Sequence, residues 1–150
     1  MKTQEIIEQL PYGQPFLFVD ELKSVDEMGT IGSFTFHEGL DFFKGHFKDK
    51  AVVPGVILTE CCAQIGLVCL GIYLLSPSPN NATDDISVAL SSTEMEFYRP
   101  VFPGEKVEVR SLKSYFRFNK LKCTVKMYND NQELVCKGVL AGMLKSYEGE

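Results

Sequence analysis

Four residues in the stretch 45–64 could do chemistry together: His46, Gly55, Glu60 and Gln64. His46 stands in a loop, a Pro54-Gly55 pair follows, and the longest apolar run of the chain begins there. From Gly55 to Leu75 the only charged residue is Glu60. An imidazole is neutral near pH 7 and can accept a proton without first being recharged. A carboxyl in apolar surroundings keeps its proton to higher pH, which suits a proton donor. The N–H groups at a helix start are unpaired donors beside a partial positive charge. Gly55 lies at such a start, so its N–H can hold an oxyanion, and the missing side chain allows close approach. Gln64 is i+4 from Glu60, on the same helix face, and can orient it. Each of these has a plainer role: a loop histidine with a structural hydrogen bond, a glutamate paired for structure, a turn glycine, a solvated or interface glutamine. No Lys or Arg lies on the helix to pair with Glu60, which weakens the structural role for the acid.

The elements that must position these groups follow from pattern. Proline suits the first helical position and glycine bends the approach, so Pro54-Gly55 predicts a helix start. A helix apolar all round is a buried one, which puts Glu60 about a turn and a half inside a covered helix. Upstream, residues 1–10 predict a short amphipathic helix with Ile6, Ile7 and Leu10 inward, then a loop at residues 10–15 set by two prolines and a glycine. Strands are predicted at residues 16–22 and 30–36. The long loop 37–54, interrupted by Phe42, Phe43 and Phe47, has the length of a functional loop. Residues 76–85 predict a flexible polar loop. The remainder reads as strands at residues 86–98 (irregular near Ser91-Ser92), 106–110, 121–128 and 134–144, with a hairpin turn at 128–132 and a loose tail after Lys145. Strands joined by short turns are antiparallel. Two short strands, one buried helix and three or four long strands make an α+β layout. One sheet covers a lone apolar helix only in part, and its strand edges stay open, so a dimer is expected.

Bulk properties narrow the classes. At 150 residues the chain is one domain, residues 1–150, with room for a core. Apolar residues are 45% and charged residues 23%, an ordinary balance for a soluble protein. A formal charge of −5 argues against a nucleic-acid binder. No signal peptide is visible. The apolar run approaches the length of a membrane span, but it holds Glu60 and Gln64 and no Lys/Arg cluster follows it, so a buried helix is the better reading. The five cysteines lack CxxC spacing, which argues against zinc. They read as small hydrophobes and free thiols in a reducing cytoplasm.

Four blocks carry a resemblance. They are Leu10-Pro11-x-x-x-Pro15-Phe16-Leu17-x-Val19-Asp20, Phe43-x-Gly45-His46-Phe47, Val53-Pro54-Gly55-Val56-x-x-x-Glu60-x-x-Ala63-Gln64 and Phe97-x-Arg99-Pro100-Val101-x-Pro103-Gly104. In that order they resemble the β-hydroxyacyl-[acyl carrier protein] dehydratases of fatty-acid synthesis, the FabZ type. The resemblance implies the hotdog fold, a sheet wrapped around a central helix. It implies dimers, often trimers of dimers, with each site shared between two chains. It implies loss of water from a β-hydroxyacyl thioester, with no cofactor or metal. His46 would be the base, Glu60 the acid and the Gly55 N–H the oxyanion donor. Gln64, Phe47, Val53 and Pro54 would complete the substrate site. Phe42, Phe43 and Phe47 would line an acyl tunnel, although core packing suits at least one of them. The partner would be an acyl carrier protein, a small acidic protein. Lys44, Lys48 and Lys50 flank the loop and Arg99 could join them, either as a docking rim or as a solvated cluster. The chain departs from the family at Tyr12-Gly13-Gln14, at Lys48 and at Gly39-Leu40, away from the acid and base. Such departures suit a specialised acyl chain, for example in polyene or pigment assembly. Two other classes stay open: a hotdog thioesterase and a non-catalytic hotdog subunit.

Overall fold

A computed structural model describes residues 2–76 and 85–147. Helix α1 (Thr3–Glu8) is followed by β1 (Glu21–Val25) and β2 (Gly29–Thr35). A short 3-10 turn, Asp41–Lys44, breaks the long loop. The central helix Gly55–Leu75 comes next. It consists of α2 (Gly55–Ala63), a π-helical turn (Gln64–Val68) and α3 (Cys69–Leu75). Strands β3 (Asp85–Phe97), β4 (Lys106–Arg117), β5 (Lys120–Asn129) and β6 (Leu134–Tyr147) complete the chain. All strand pairs are antiparallel, in one sheet of order β1-β2-β4-β5-β6-β3.

The alternation read from the sequence sets the face of each strand. Leu121, Cys123, Val125 and Met127 of β5 point into the core, as do Val107 and Val109 of β4. The central helix lies against this face. Cys61, Cys62, Ile65, Leu67, Cys69 and Leu70 are buried around its whole circumference. That burial explains why a segment long and apolar enough to cross a membrane serves here as a core helix. All five cysteines are free and buried. The sheet around a central helix is the hotdog arrangement that the resemblance implied.

Several local expectations need correction. Residues 16–20 are not a strand; pairing with β2 starts at Glu21, because the Phe18 N–H and the Phe16 carbonyl bond instead to the Gln64 side chain. Pro54 is the residue before the helix, with extended backbone (φ −57°, ψ 140°), so Gly55 and not Pro54 takes the first helical position. β4 runs to Arg117, well past Arg110, through a bulge between Lys113 and Tyr115. A two-residue turn at Phe118-Asn119, both at positive φ (51° and 61°), joins it to β5. β6 continues to Tyr147, so residues 146–147 are strand, not loose tail. The irregularity expected near Ser91-Ser92 is a bulge between Leu90 and Ser92. The polar loop predicted at 76–85 falls largely on residues 77–84, outside the described chain, as do residues 148–150.

Candidate active site

The loop 37–54 and the start of the central helix form the site. His46 is held by backbone: its N–H donates to the Phe42 carbonyl (3.0 Å) and its carbonyl accepts from the Val52 N–H (2.9 Å). Its ring Nδ1 lies 3.0 Å from the Val52 carbonyl oxygen, which can only accept. A neutral imidazole that donates from Nδ1 keeps the lone pair on Nε2. Phe47, 61% exposed, stacks on this ring at 4.0 Å between centroids. Phe43 joins the core, and Phe42 packs between Phe36 and Phe43. Core packing therefore accounts for Phe43, and only Phe47 of the three aromatics stands open.

The helix start is anchored from both sides. The Val53 N–H donates to the Val101 carbonyl (2.9 Å), tying the loop to the Arg99–Gly104 turn. The Pro54 carbonyl accepts from the N–H groups of Ile57 (2.9 Å) and Leu58 (3.1 Å). This leaves the Gly55 and Val56 N–H groups without an acceptor among the described residues. A cavity of about 320 Å³ opens beside them, lined by Val53, Gly55, Leu58, Phe97, Tyr98, Arg99 and Pro100. A Cβ at Gly55 would meet the Phe97 ring at 3.5 Å, an ordinary contact. Glycine here keeps space open and relieves no clash.

Glu60 is half-buried on the helix face turned toward residues 12–18. Its Oε2 accepts from Gln64 Nε2 at 2.9 Å. Gln64 is 0% exposed and fully committed: Nε2 also donates to the Phe16 carbonyl (2.9 Å), and Oε1 accepts from the Phe18 N–H (2.8 Å). The orienting role expected of Gln64 thus has a rigid basis. No cation pairs with Glu60 among the described residues. Burial pushes its carboxyl above the usual carboxylate range, and the Gln64 hydrogen bond offsets part of that rise.

Within one chain no hydrogen bond joins His46 to Glu60, and neither lines the cavity beside Gly55. The departure at Tyr12, expected to lie away from the acid and base, instead flanks the acid: Tyr12 neighbours Glu60. Its phenol is pushed up to about 12 by burial, then by the neighbouring Glu60, then by Cys69. The signal was its place in the first block, where the chain departs from the family pattern. The docking cations are partly engaged already. Lys44 pairs with Asp41 (3.2 Å), Arg99 with Glu133 (3.0 Å), and Lys50 lies over the Phe102 ring, while Lys48 is exposed.

Comparison with known proteins establishes the family. The model of the FabA-like domain matches residues 10–137. The chain is 30% identical over 151 residues to the 3-hydroxyacyl-[acyl-carrier-protein] dehydratase FabZ of Ehrlichia canis, covering 97% of this chain and 96% of the relative. It is also 30% identical over 142 residues to FabZ of Clostridium perfringens, covering 92% and 94%. Among solved structures, a hypothetical thioesterase with coenzyme A from Streptococcus pneumoniae superposes with a TM-score of 0.61 at 10% identity, covering 86% of this chain and 88% of that one. The E. coli PaaI protein gives 0.60 at 13% identity, covering 86% and 80%. At such identities the structural likeness establishes the fold alone, whereas the sequence match spans the blocks that hold His46 and Glu60. The chain belongs to the FabA-like family, in its FabZ-type dehydratase branch.

Proposed function

We propose that this hydro-lyase removes water from a β-hydroxyacyl thioester on acyl carrier protein to give the trans-2-enoyl thioester, with His46 as base and Glu60 as acid. Two groups prepared in opposite senses carry the reading. His46 spends Nδ1 on the Val52 carbonyl and presents Nε2 as a lone pair. Glu60 holds its proton above the usual carboxylate range with no cationic partner among the described residues. In the reaction Nε2 takes the proton from the carbon next to the thioester carbonyl. The Gly55 N–H receives the charge that develops on the carbonyl oxygen. The Glu60 proton goes to the hydroxyl, the C–O bond breaks and the C=C bond forms. Water leaves, and the proton on His46 balances the one Glu60 gave up.

The site draws His46 from one protomer and Glu60 from its partner. Their separate settings within one chain support this, as do the exposed apolar residues around the helix start: Val56 (76% exposed), Phe47, Phe97 and Tyr98. The outer edge of β3 stays open and suits pairing with a second copy; such dimers could assemble further as trimers. Lys48 and its neighbours form the rim for the acidic carrier. Five free thiols suit a cytoplasmic setting. The departures at Tyr12-Gly13-Gln14 support a specialised, polyene-type acyl chain.

The test is incubation with 3-hydroxybutyryl-acyl carrier protein, scoring enoyl product, free thiol or neither. Enoyl product is expected. His46→Ala and Glu60→Gln should each lower kcat by about 10²–10⁴-fold, the range for losing a positioned acid or base. The rate should fall as pH rises and Glu60 ionises, with the midpoint above the ordinary carboxylate range. Free thiol would make the protein a thioesterase; no turnover would make it a non-catalytic subunit.

A further inference from the structure

The central helix is not α-helical throughout. It widens into a π-helical turn at Gln64–Val68, beginning at the residue that holds the Glu60 carboxyl. Such turns persist where something outside the helix takes up the displaced carbonyls. Here that partner is a buried hydroxyl pair on the sheet. Thr30 of β2 and Ser111 of β4 stand directly opposite each other in the strand register. They are 1% and 4% exposed. Their hydroxyls are 2.7 Å apart, and the Thr30 N–H also donates to Ser111 Oγ at 3.2 Å. Thr30 Oγ1 donates to the Ile65 carbonyl at 2.8 Å, inside the π turn. With its one proton on Ile65, the Thr30 hydroxyl must accept from Ser111, so the pair has one consistent direction. The neighbouring Gly66 lets the turn lie flat on the sheet: a Cβ there would meet Val125 Cγ1 at 2.8 Å and Ser111 Cβ at 3.0 Å.

We propose that Thr30, held by Ser111, is a positioning residue that fixes the π turn and, through Gln64, aims the Glu60 carboxyl. The chain of contacts is continuous: Ser111 hydroxyl to Thr30 hydroxyl, Thr30 hydroxyl to the Ile65 carbonyl, one peptide back to Gln64, and Gln64 Nε2 to Glu60 Oε2. Neither hydroxyl touches the cavity or the carboxyl, so the effect on catalysis is indirect. If the π turn relaxes, Gln64 loses register with the Phe16 carbonyl and Phe18 N–H, and its bond to Glu60 goes with them. Within one chain the titratable groups that couple to Glu60 are Tyr12, from the loop before β1, and Cys61 on the helix, and neither is a cation that would hold the carboxylate in place of the Gln64 donor.

The proposal rests on Glu60 being the acid, and the experiment separates the two. Thr30→Val keeps the shape and removes the donor, whereas Thr30→Ser keeps the donor. With 3-hydroxybutyryl-acyl carrier protein, Thr30→Val should lower kcat by about ten-fold, less than the roughly 100-fold that a 1 Å misplacement can cost. KM should change little. The high-pH limb should move to higher pH, because the Gln64 bond that favours the Glu60 carboxylate is lost. Thr30→Ser should restore both rate and limb. A Thr30→Val enzyme with wild-type kcat and limb overturns the proposal, and so does a Thr30→Ser enzyme as impaired as Thr30→Val. If Thr30→Val does not fold, Ser111→Ala replaces it: the limb must move the same way by less, and a wild-type limb is the overturning result. An active Glu60→Gln removes the acid assignment and this proposal with it. An inactive Glu60→Gln beside an unmoved Thr30→Val removes this proposal alone.

Discussion

At the scale of single residues, Glu60 links function to stability. Its carboxyl holds its proton more tightly in the fold than in the unfolded chain, because burial disfavours the charge. The folded protein then binds more protons than the unfolded one between the two pKa values, so stability falls as pH rises through the folded value. Glu60→Gln removes that cost and keeps the shape. Its melting temperature should exceed that of the wild type above neutral pH, and the difference should vanish below the usual carboxylate range. Thermal melts at several pH values check this; a difference independent of pH would contradict it. If Glu60 is the acid, the same substitution should lower kcat while raising stability, the trade-off between stability and activity common at active sites. Tyr12, held neutral by burial and by Glu60 itself, adds no opposing charge on that side.

At the scale of elements, strand and helix positions followed from periodicity, but their ends did not. The Phe16–Asp20 segment has strand-like composition, and only the Gln64 side chain, distant in sequence, explains why its backbone leaves the ladder. The π turn likewise has no local signature, since its partner Thr30 lies on another element. The β3–β6 pair gives a direct test of packing. A Cβ at Gly138 would run into the Glu94 carbonyl oxygen and come within 2.9 Å of Met95 Cα, both backbone atoms of the neighbouring strand. Gly138→Ala should therefore cost about 1–3 kcal/mol, as overpacking of a tight site does. Urea unfolding should show a lower midpoint with an unchanged slope. A wild-type midpoint would mean that the two strands part without cost.

At the scale of the whole molecule, the question is how the two reacting groups meet. If each site takes His46 from one protomer and Glu60 from the other, the single variants complement. A mixed dimer of His46→Ala and Glu60→Gln chains has one site with both lesions and one with neither. Co-expression of the two inactive chains should restore activity, up to one intact site per mixed dimer. Absence of recovery, with mixed dimers demonstrated by mass spectrometry, would place both groups in one chain. The open β3 edge and the exposed Val56, Phe97 and Tyr98 mark the surface where the second copy would sit.

The amino-acid sequence by itself determined the α+β layout, the buried central helix and the isolated Glu60 on it, whereas the roles of His46 and Glu60 as base and acid came with the four-block resemblance. The layout, the helix and the isolated acid depend on short-range facts: which faces are apolar, where proline and glycine fall, and which charge is isolated in an apolar run. It also placed Gln64 beside Glu60, because i and i+4 share a helix face. The tertiary structure alone decided what else holds Gln64, which ring nitrogen of His46 is spent on the loop, and that Tyr12 flanks the acid. Those outcomes depend on contacts between residues tens of positions apart, such as Phe18 with Gln64 and Thr30 with Ile65. No local pattern encodes them, because each contact is chosen by the packing of the helix on the sheet.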